Sequence, residues 1–198
     1  MKKSLLFAAL CATLAGCGYG MPKHDAQLKD QLRNPLYAEL YYDDLSEQMI
    51  SIALRDDPMM RDASKKSIID RTRTRALEHS SLAIEAQKSG RIGQFISDLE
   101  LVSGEALLTD DILYIGPTFN AAPGPSQRLY ITTTVDPRDG EFPDTTAVLI
   151  GGLKNQYGAQ AFDVSKLPAP TGTGSYRTLV LWDDDLQMLY GFAQLHNY

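Results

Sequence analysis

Thiols are the strongest nucleophiles a chain carries near neutral pH. This one has two, Cys11 and Cys17, both near its start. Lys2 and Lys3 make a basic beginning, an apolar run follows from Leu5 to Leu14, and the run closes on Leu14-Ala15-Gly16-Cys17. A basic end, a short apolar core and small residues before a cleavage point describe an export signal, and the run is too short to span a bilayer.

The Leu-Ala-Gly-Cys ending resembles the lipobox of bacterial lipoproteins. That resemblance implies that residues 1–16 are removed and that the Cys17 thiol receives a diacylglyceryl group and becomes the first residue. An ordinary secretory signal that happens to contain Cys17 is the alternative. Each buried methylene contributes about 0.8 kcal/mol, so two or more acyl chains on Cys17 tether the protein stably to a cell membrane or outer membrane. Gly18 in place of an Asp after Cys17 favours the outer membrane in a two-membrane cell, by resemblance to the lipoprotein sorting rule. Processing on this scheme removes Cys11 and caps Cys17. A disulfide, a Cys-x-x-Cys redox pair and a thiolate zinc site are then excluded.

The other groups that do chemistry are scattered. Haem or metal transfer calls on His or Met ligands, and the second half offers only His196 and Met188, with His79 and His24 far upstream. Asp183-Asp184-Asp185 lacks the alternating spacing of a calcium loop and reads as the tip of a hairpin. No Gly-x-Ser-x-Gly elbow accompanies the serines. Glu100 and Glu105 are expected to face solvent. Tyr114, Phe119, Tyr130, Trp182, Tyr190 and Phe192 have the types that line a sugar or peptide groove, but their strand-period placement favours core. No catalytic residue, metal site or cofactor is expected, and Trp182 and Asp183 remain the candidate ligand-binding residues.

The elements that must position these residues divide by charge and by period. Residues 18–92 hold 12 basic and 12 acidic residues, whereas 93–198 hold 5 basic and 13 acidic. An acidic outer part argues against nucleic acid as a partner. The basic run Arg71-Thr72-Arg73-Thr74-Arg75, flanked by Asp70 and Glu78, reads as a solvated helix face. Residues 17–34 read as the lipidated Cys and a flexible tether. From Pro35, Leu36, Leu40, Met49, Ile52 and Ala53 recur at helical spacing until Pro58. A second helix runs from about Asp62 to Lys88, with Ile69, Ala76 and Ala83 seven apart and Leu77 and Ile84 alongside, ended by Gly90 and Gly93. Residues 35–92 thus form a helical hairpin whose narrow, Ala-rich stripe packs on the second domain or on another copy.

Residues 93–198 change to period two. Expected strands are Asp98–Ser103, Glu105–Thr109, Ile112–Ile115, Arg128–Val135, Thr146–Ile150, Ala159–Val164, Tyr176–Trp182 and Leu186–Leu195, separated by turn signals such as Pro123-Gly124-Pro125 and Asp136 to Gly140. The fold class is therefore α+β: a helical hairpin followed by an antiparallel β-sandwich of roughly eight strands, with Trp182 buried on a central strand.

Several runs in this half resemble the DM-thirteen domain, a Skeletor-type "electron transfer" module. They are Ser103-Gly104-Glu105-Ala106, Phe119 to Thr132 through Pro123-Gly124-Pro125, Ile150 to Gln160 with Gly152-Leu153-Lys154, Ser175 to Trp182, and Tyr190-Gly191-Phe192-Ala193. The resemblance covers residues 98–196, about half the chain. It implies a redox Cys directly after the Trp of the late strand, where this chain has Asp183. A carboxylate has no accessible redox couple, so thiol-based electron transfer is not carried over. As a turn residue, Asp183 is expected to tolerate replacement by Cys.

The expected function is a lipid-anchored extracytoplasmic binding or interaction module of the cell envelope, not an enzyme. Alternatives are a structural subunit that docks on an envelope protein or self-associates through residues 35–90, and a redox module as the family name suggests.

Overall fold

A computed structural model describes residues 23–55, 58–97, 99, 101–170 and 174–198. The expected signal, Cys17, Glu100 and the side chain of His24 lie outside the described residues. Among the described residues three helices come first: α1 (Lys23–Gln31), α2 (Pro35–Leu54) and α3 (Ala63–Lys88), with a 3-10 turn over Pro58–Arg61. Asn34 caps α2, its Oδ1 accepting from Leu36 N at 3.0 Å with Pro35 in the first turn. Asp62 caps α3 through Ser64 N at 2.9 Å and Lys65 N at 3.3 Å. No described helix is long and apolar enough to cross a membrane.

The described part of the segment read as a tether is largely helical. α1 occupies residues 23–31, and Asn34 is buried because its Nδ2 donates to Ile115 O at 2.8 Å in the sheet.

Among the described residues eleven strands follow: β1 (Arg91–Ser97), β2 (Val102–Ser103), β3 (Glu105–Leu108), β4 (Ile112–Ile115), β5 (Asn120–Ala121), β6 (Gln127–Thr132), β7 (Val148–Gly152), β8 (Gln160–Asp163), β9 (Thr178–Asp183), β10 (Met188–Gln194) and β11 (His196–Asn197). The main sheet runs β7-β6-β9-β10-β1-β3-β4-β8, with β11 on β1, and β2 pairs with β5 apart from it. All pairings are antiparallel. The chain is α+β, a helical hairpin followed by a sandwich-like antiparallel sheet.

β1 joins the two halves of the sheet: Arg91 to Gln94 pair with β3, and Phe95 to Ser97 pair with β10. The sequence reading missed this strand because Gly90 and Gly93 look like helix stops. Gly93 is instead where a Cβ would strike the Gln194 carbonyl, which lets β1 pass close to the end of β10. Among the described residues of the expected Asp98–Ser103 strand only Val102–Ser103 is strand, β6 stops at Thr132 rather than Val135, and β9 begins at Thr178 rather than Tyr176.

The core between the layers gathers Phe119, Leu113, Ile115, Leu129, Ile131, Leu179 and Leu181. Burying each such side chain contributes about 1.5–3 kcal/mol. β9 is buried on both faces. Leu179 and Leu181 enter this core, while Val180 and Trp182 pack outward with Phe192, Tyr130, Phe142 and Leu189.

The cover on that outer face is the β6–β7 connection. Asp144 fastens it, accepting from Thr132 Oγ1 and from Thr146 Oγ1, each at 2.7 Å. Thr178 Oγ1 also donates to Val135 O at 2.9 Å. Burial disfavours the Asp144 charge, but these hydroxyls and the Thr146 N–H outweigh it and hold its carboxyl below the usual range.

Candidate functional site

Trp182 and Asp183 end β9 side by side with opposite surroundings. The Trp182 ring lies 5.1 Å from Phe142, which meets Tyr130 edge-on at 5.7 Å, and Arg138 sits 5.0 Å over Phe192. Trp182 is buried on a central strand, as its period implied. Its Nε1 has no hydrogen-bond partner, so the indole contributes packing rather than polar anchoring.

Asp183 sits at the β9–β10 turn, where a hairpin tip was expected, but it is wholly buried there. Its Oδ2 accepts from Ser126 N at 3.1 Å, and its Oδ1 accepts from Asp185 N at 3.1 Å and Leu186 N at 3.0 Å. The carboxylate therefore closes the β9–β10 turn and ties it to the 123–126 turn. A Cβ on Gly124 would collide with Asp183 Oδ2 and the Tyr190 hydroxyl, so those turns lie directly on it and leave no room for a ligand. Burial first, then the neighbouring Asp183, pushes the Tyr190 hydroxyl above its usual range. A Cys at 183 cannot accept three N–H bonds, so this replacement is expected to cost more than that of an ordinary turn residue. Asp184 does face outward, pairing with Arg128 Nε at 2.7 Å and accepting from Tyr130 Oη at 2.8 Å. Three consecutive aspartates thus do two different jobs, which composition alone does not separate.

The other candidates stay apart. His79 stacks on Tyr42 at 4.8 Å, and His196 is exposed. Among the described residues, no three His, Cys, Asp or Glu side chains converge as a metal site would require. Phe119, Tyr190 and Phe192 are core.

Tyr114 lines a groove of about 480 Å³ between the α1–α2 link and the β4–β8 edge, with Asp30, Arg33, Asn34 and Lys154. The tether reading hid this groove. Its charges are already engaged: Arg33 pairs with Asp30 at 3.4 Å, and Lys154 donates to Ala161 O while lying 4.5 Å over Phe162.

Glu105 is half-buried rather than solvent-facing. It sits where the hairpin meets the sheet and accepts from Gln94 Nε2 at 3.3 Å. Burial, reinforced by nearby Glu39, pushes its carboxyl above the usual range. Glu39 accepts from Gln87 Nε2 at 2.5 Å, and the same amide donates to Pro35 O at 3.2 Å.

Beyond that base the hairpin is open. Ile69, Ala76, Ser80 and Ala83 of α3 face Ala38 and Ser46 of α2, so mostly small side chains make the seam. Leu77 and Leu40, expected in the stripe, are instead 50% and 44% exposed, because a seam this tight admits little else. Leu54 at 80% and Leu82 at 65% stand out further, and Ile50, Met59 and Ile68 are exposed as well. The arginine run lies on the exposed face of α3, as expected.

Comparison of the chain with known protein families, characterised proteins and solved structures finds no match.

Proposed function

We propose that this protein is a non-catalytic, lipid-anchored extracytoplasmic interaction module. Cys17 carries the lipid, the sheet is a self-sufficient cap, and the hairpin is the docking surface. One observation carries the reading. Of fourteen exposed large apolar side chains among the described residues, seven lie on the hairpin between Leu40 and Leu82. The central strand β9 of the sheet, by contrast, is buried on both faces. Apolar side chains clustered this way favour a macromolecular partner.

The DM-thirteen resemblance of residues 98–196 belongs to the same proposal. With Asp183 spent on three backbone N–H groups, the reading is a DM-thirteen-like scaffold without thiol redox chemistry.

Two measurements test this function. Cys17→Ala should release the protein from membranes or leave its signal uncleaved; a mature-sized variant that still partitions wholly into detergent contradicts the anchor. Photocrosslinking residues placed at Leu54 and Leu77 should capture a partner in intact cells, and placed at Leu149 and Leu186 on the sheet should not. The reverse pattern contradicts the docking surface.

A further inference from the structure

The hairpin carries its charge on opposite helices. α2 holds four acidic residues (Glu39, Asp43, Asp44 and Glu47) and no basic one; α3 holds six basic residues and three acidic. Among the described residues no ion pair joins the two helices. The pairs on α3 are internal, Lys66–Asp70 at 2.7 Å and Lys88–Glu85 at 2.8 Å. Asp43 takes the Ser80 hydroxyl at 2.6 Å instead of a cation. The attraction between an acidic and a basic helix is therefore left largely unused within one chain.

The side chains that would use it share one side. Leu40, Asp43, Glu47, Ile50 and Leu54 recur at alternating three- and four-residue steps, which aligns them along a single stripe of α2. Lys66, Asp70, Arg73, Leu77, Ile84 and Lys88 align likewise on α3, three basic residues against one acidic. Helical geometry puts both stripes on the side opposite the Tyr42–His79 stack.

We propose that a second copy of this chain covers this side. The two hairpins pack face to face about a two-fold axis into a four-helix bundle, with α2 of each copy against α3 of the other. This rests on the hairpin being the docking surface. The charge pattern selects a second copy because a two-fold axis satisfies both halves at once, acidic stripe on net-basic stripe twice over, with Glu47 of each copy toward Arg73 of the other. Pairing α2 with α2 would set carboxylates against carboxylates.

The size is adequate. A face about 30 Å long and two helices, about 20 Å, wide covers about 600 Å² per copy, or about 1,200 Å² in total, at the lower end of stable interfaces. Tethering at a membrane raises the local concentration that such an interface needs.

The test uses the full chain in detergent, with sedimentation and native mass spectrometry, and Glu47→Lys and Arg73→Glu as separate variants whose helix content is checked by circular dichroism. The wild type should be dimeric, and each variant should dissociate about tenfold more readily. An equimolar mixture of the two variants should form heterodimers in preference to either homodimer, since only the mixed pair restores opposite charges at both contacts. A wild type that stays monomeric at tens of micromolar, or a mixture with no heterodimer preference, overturns the proposal. If the wild type is monomeric but Leu54 still crosslinks to a different protein in cells, the second copy is wrong and the docking surface stands. If Leu54 crosslinks to nothing, both fail.

Discussion

The sheet and the hairpin solve the burial problem in opposite ways. In the sheet, large side chains such as Phe119, Phe192, Leu129 and Leu181 are wholly or almost wholly enclosed, and β9 is covered on both faces. In the hairpin, the enclosed positions are mostly small, Ala38, Ser46, Ala76, Ser80 and Ala83, while leucines and isoleucines face outward. A seam of Ala and Ser brings helices close but removes little apolar area from water. The sheet can therefore support itself. The hairpin borrows stability from its base, through Asn34 on Ile115 and the buried Leu36 in the first turn of α2, and leaves apolar side chains in water.

The sharpest way to break that contrast is in the sheet. Trp182→Ala should destabilise the fold by about 3–5 kcal/mol in urea denaturation, because it empties the packing between Phe142 and β9. A loss under about 1 kcal/mol would show that the outer face contributes little. Asp183→Ala should follow at about 2–3 kcal/mol, since Ser126, Asp185 and Leu186 N–H groups lose their charged acceptor. Asp183→Cys should behave similarly and give a thiol that modifying reagents reach slowly.

Smaller effects belong to the junction and the covering loop. Asn34→Ala removes both the α2 cap and the tie to Ile115, and should cost about 1–2 kcal/mol, visible as faster hydrogen exchange in the first turns of α2. The titrating groups give opposite signs. Asp144 has a depressed carboxyl, so its stabilisation is present above the ordinary Asp range and is lost as pH falls through its folded value. Asp144→Asn should flatten the acid limb of the stability–pH curve. Glu105 has a raised carboxyl, so its stabilisation is present below the ordinary Glu range and lost as pH rises through its folded value. Glu105→Gln should raise thermal stability slightly near about pH 7 and change little below about pH 4, the gain held under about 1 kcal/mol by solvent screening.

What the sequence made legible follows from how strongly a position is constrained. Ile69, Ala76 and Ala83 recur every seven residues, and all three are buried in the seam. The alternation around Trp182 reflects a real pleat, and its strand is central. The polar segment Lys23–Gln31 gives no periodic apolar signal, so its helix was hidden. β1 was masked by Gly93, whose role is close strand approach rather than helix termination. Asp183 looked like its two neighbours because an inward-facing carboxylate is distinguished only by the N–H groups folded around it. Leu40 and Leu77 read as stripe residues yet are exposed, since helical spacing identifies a stripe without saying what lies against it.

The division between a self-supporting sheet and a docking hairpin is tested most directly by hydrogen exchange with mass spectrometry. The full chain is compared on its native membrane and diluted in detergent until partners dissociate. Protection gained on the membrane should fall on the middle turns of α2 and α3, between Leu40 and Leu82, with β6, β9 and β10 equally protected in both states. Protection gained along β7 or β8 instead, or no change anywhere on the hairpin, would contradict the account.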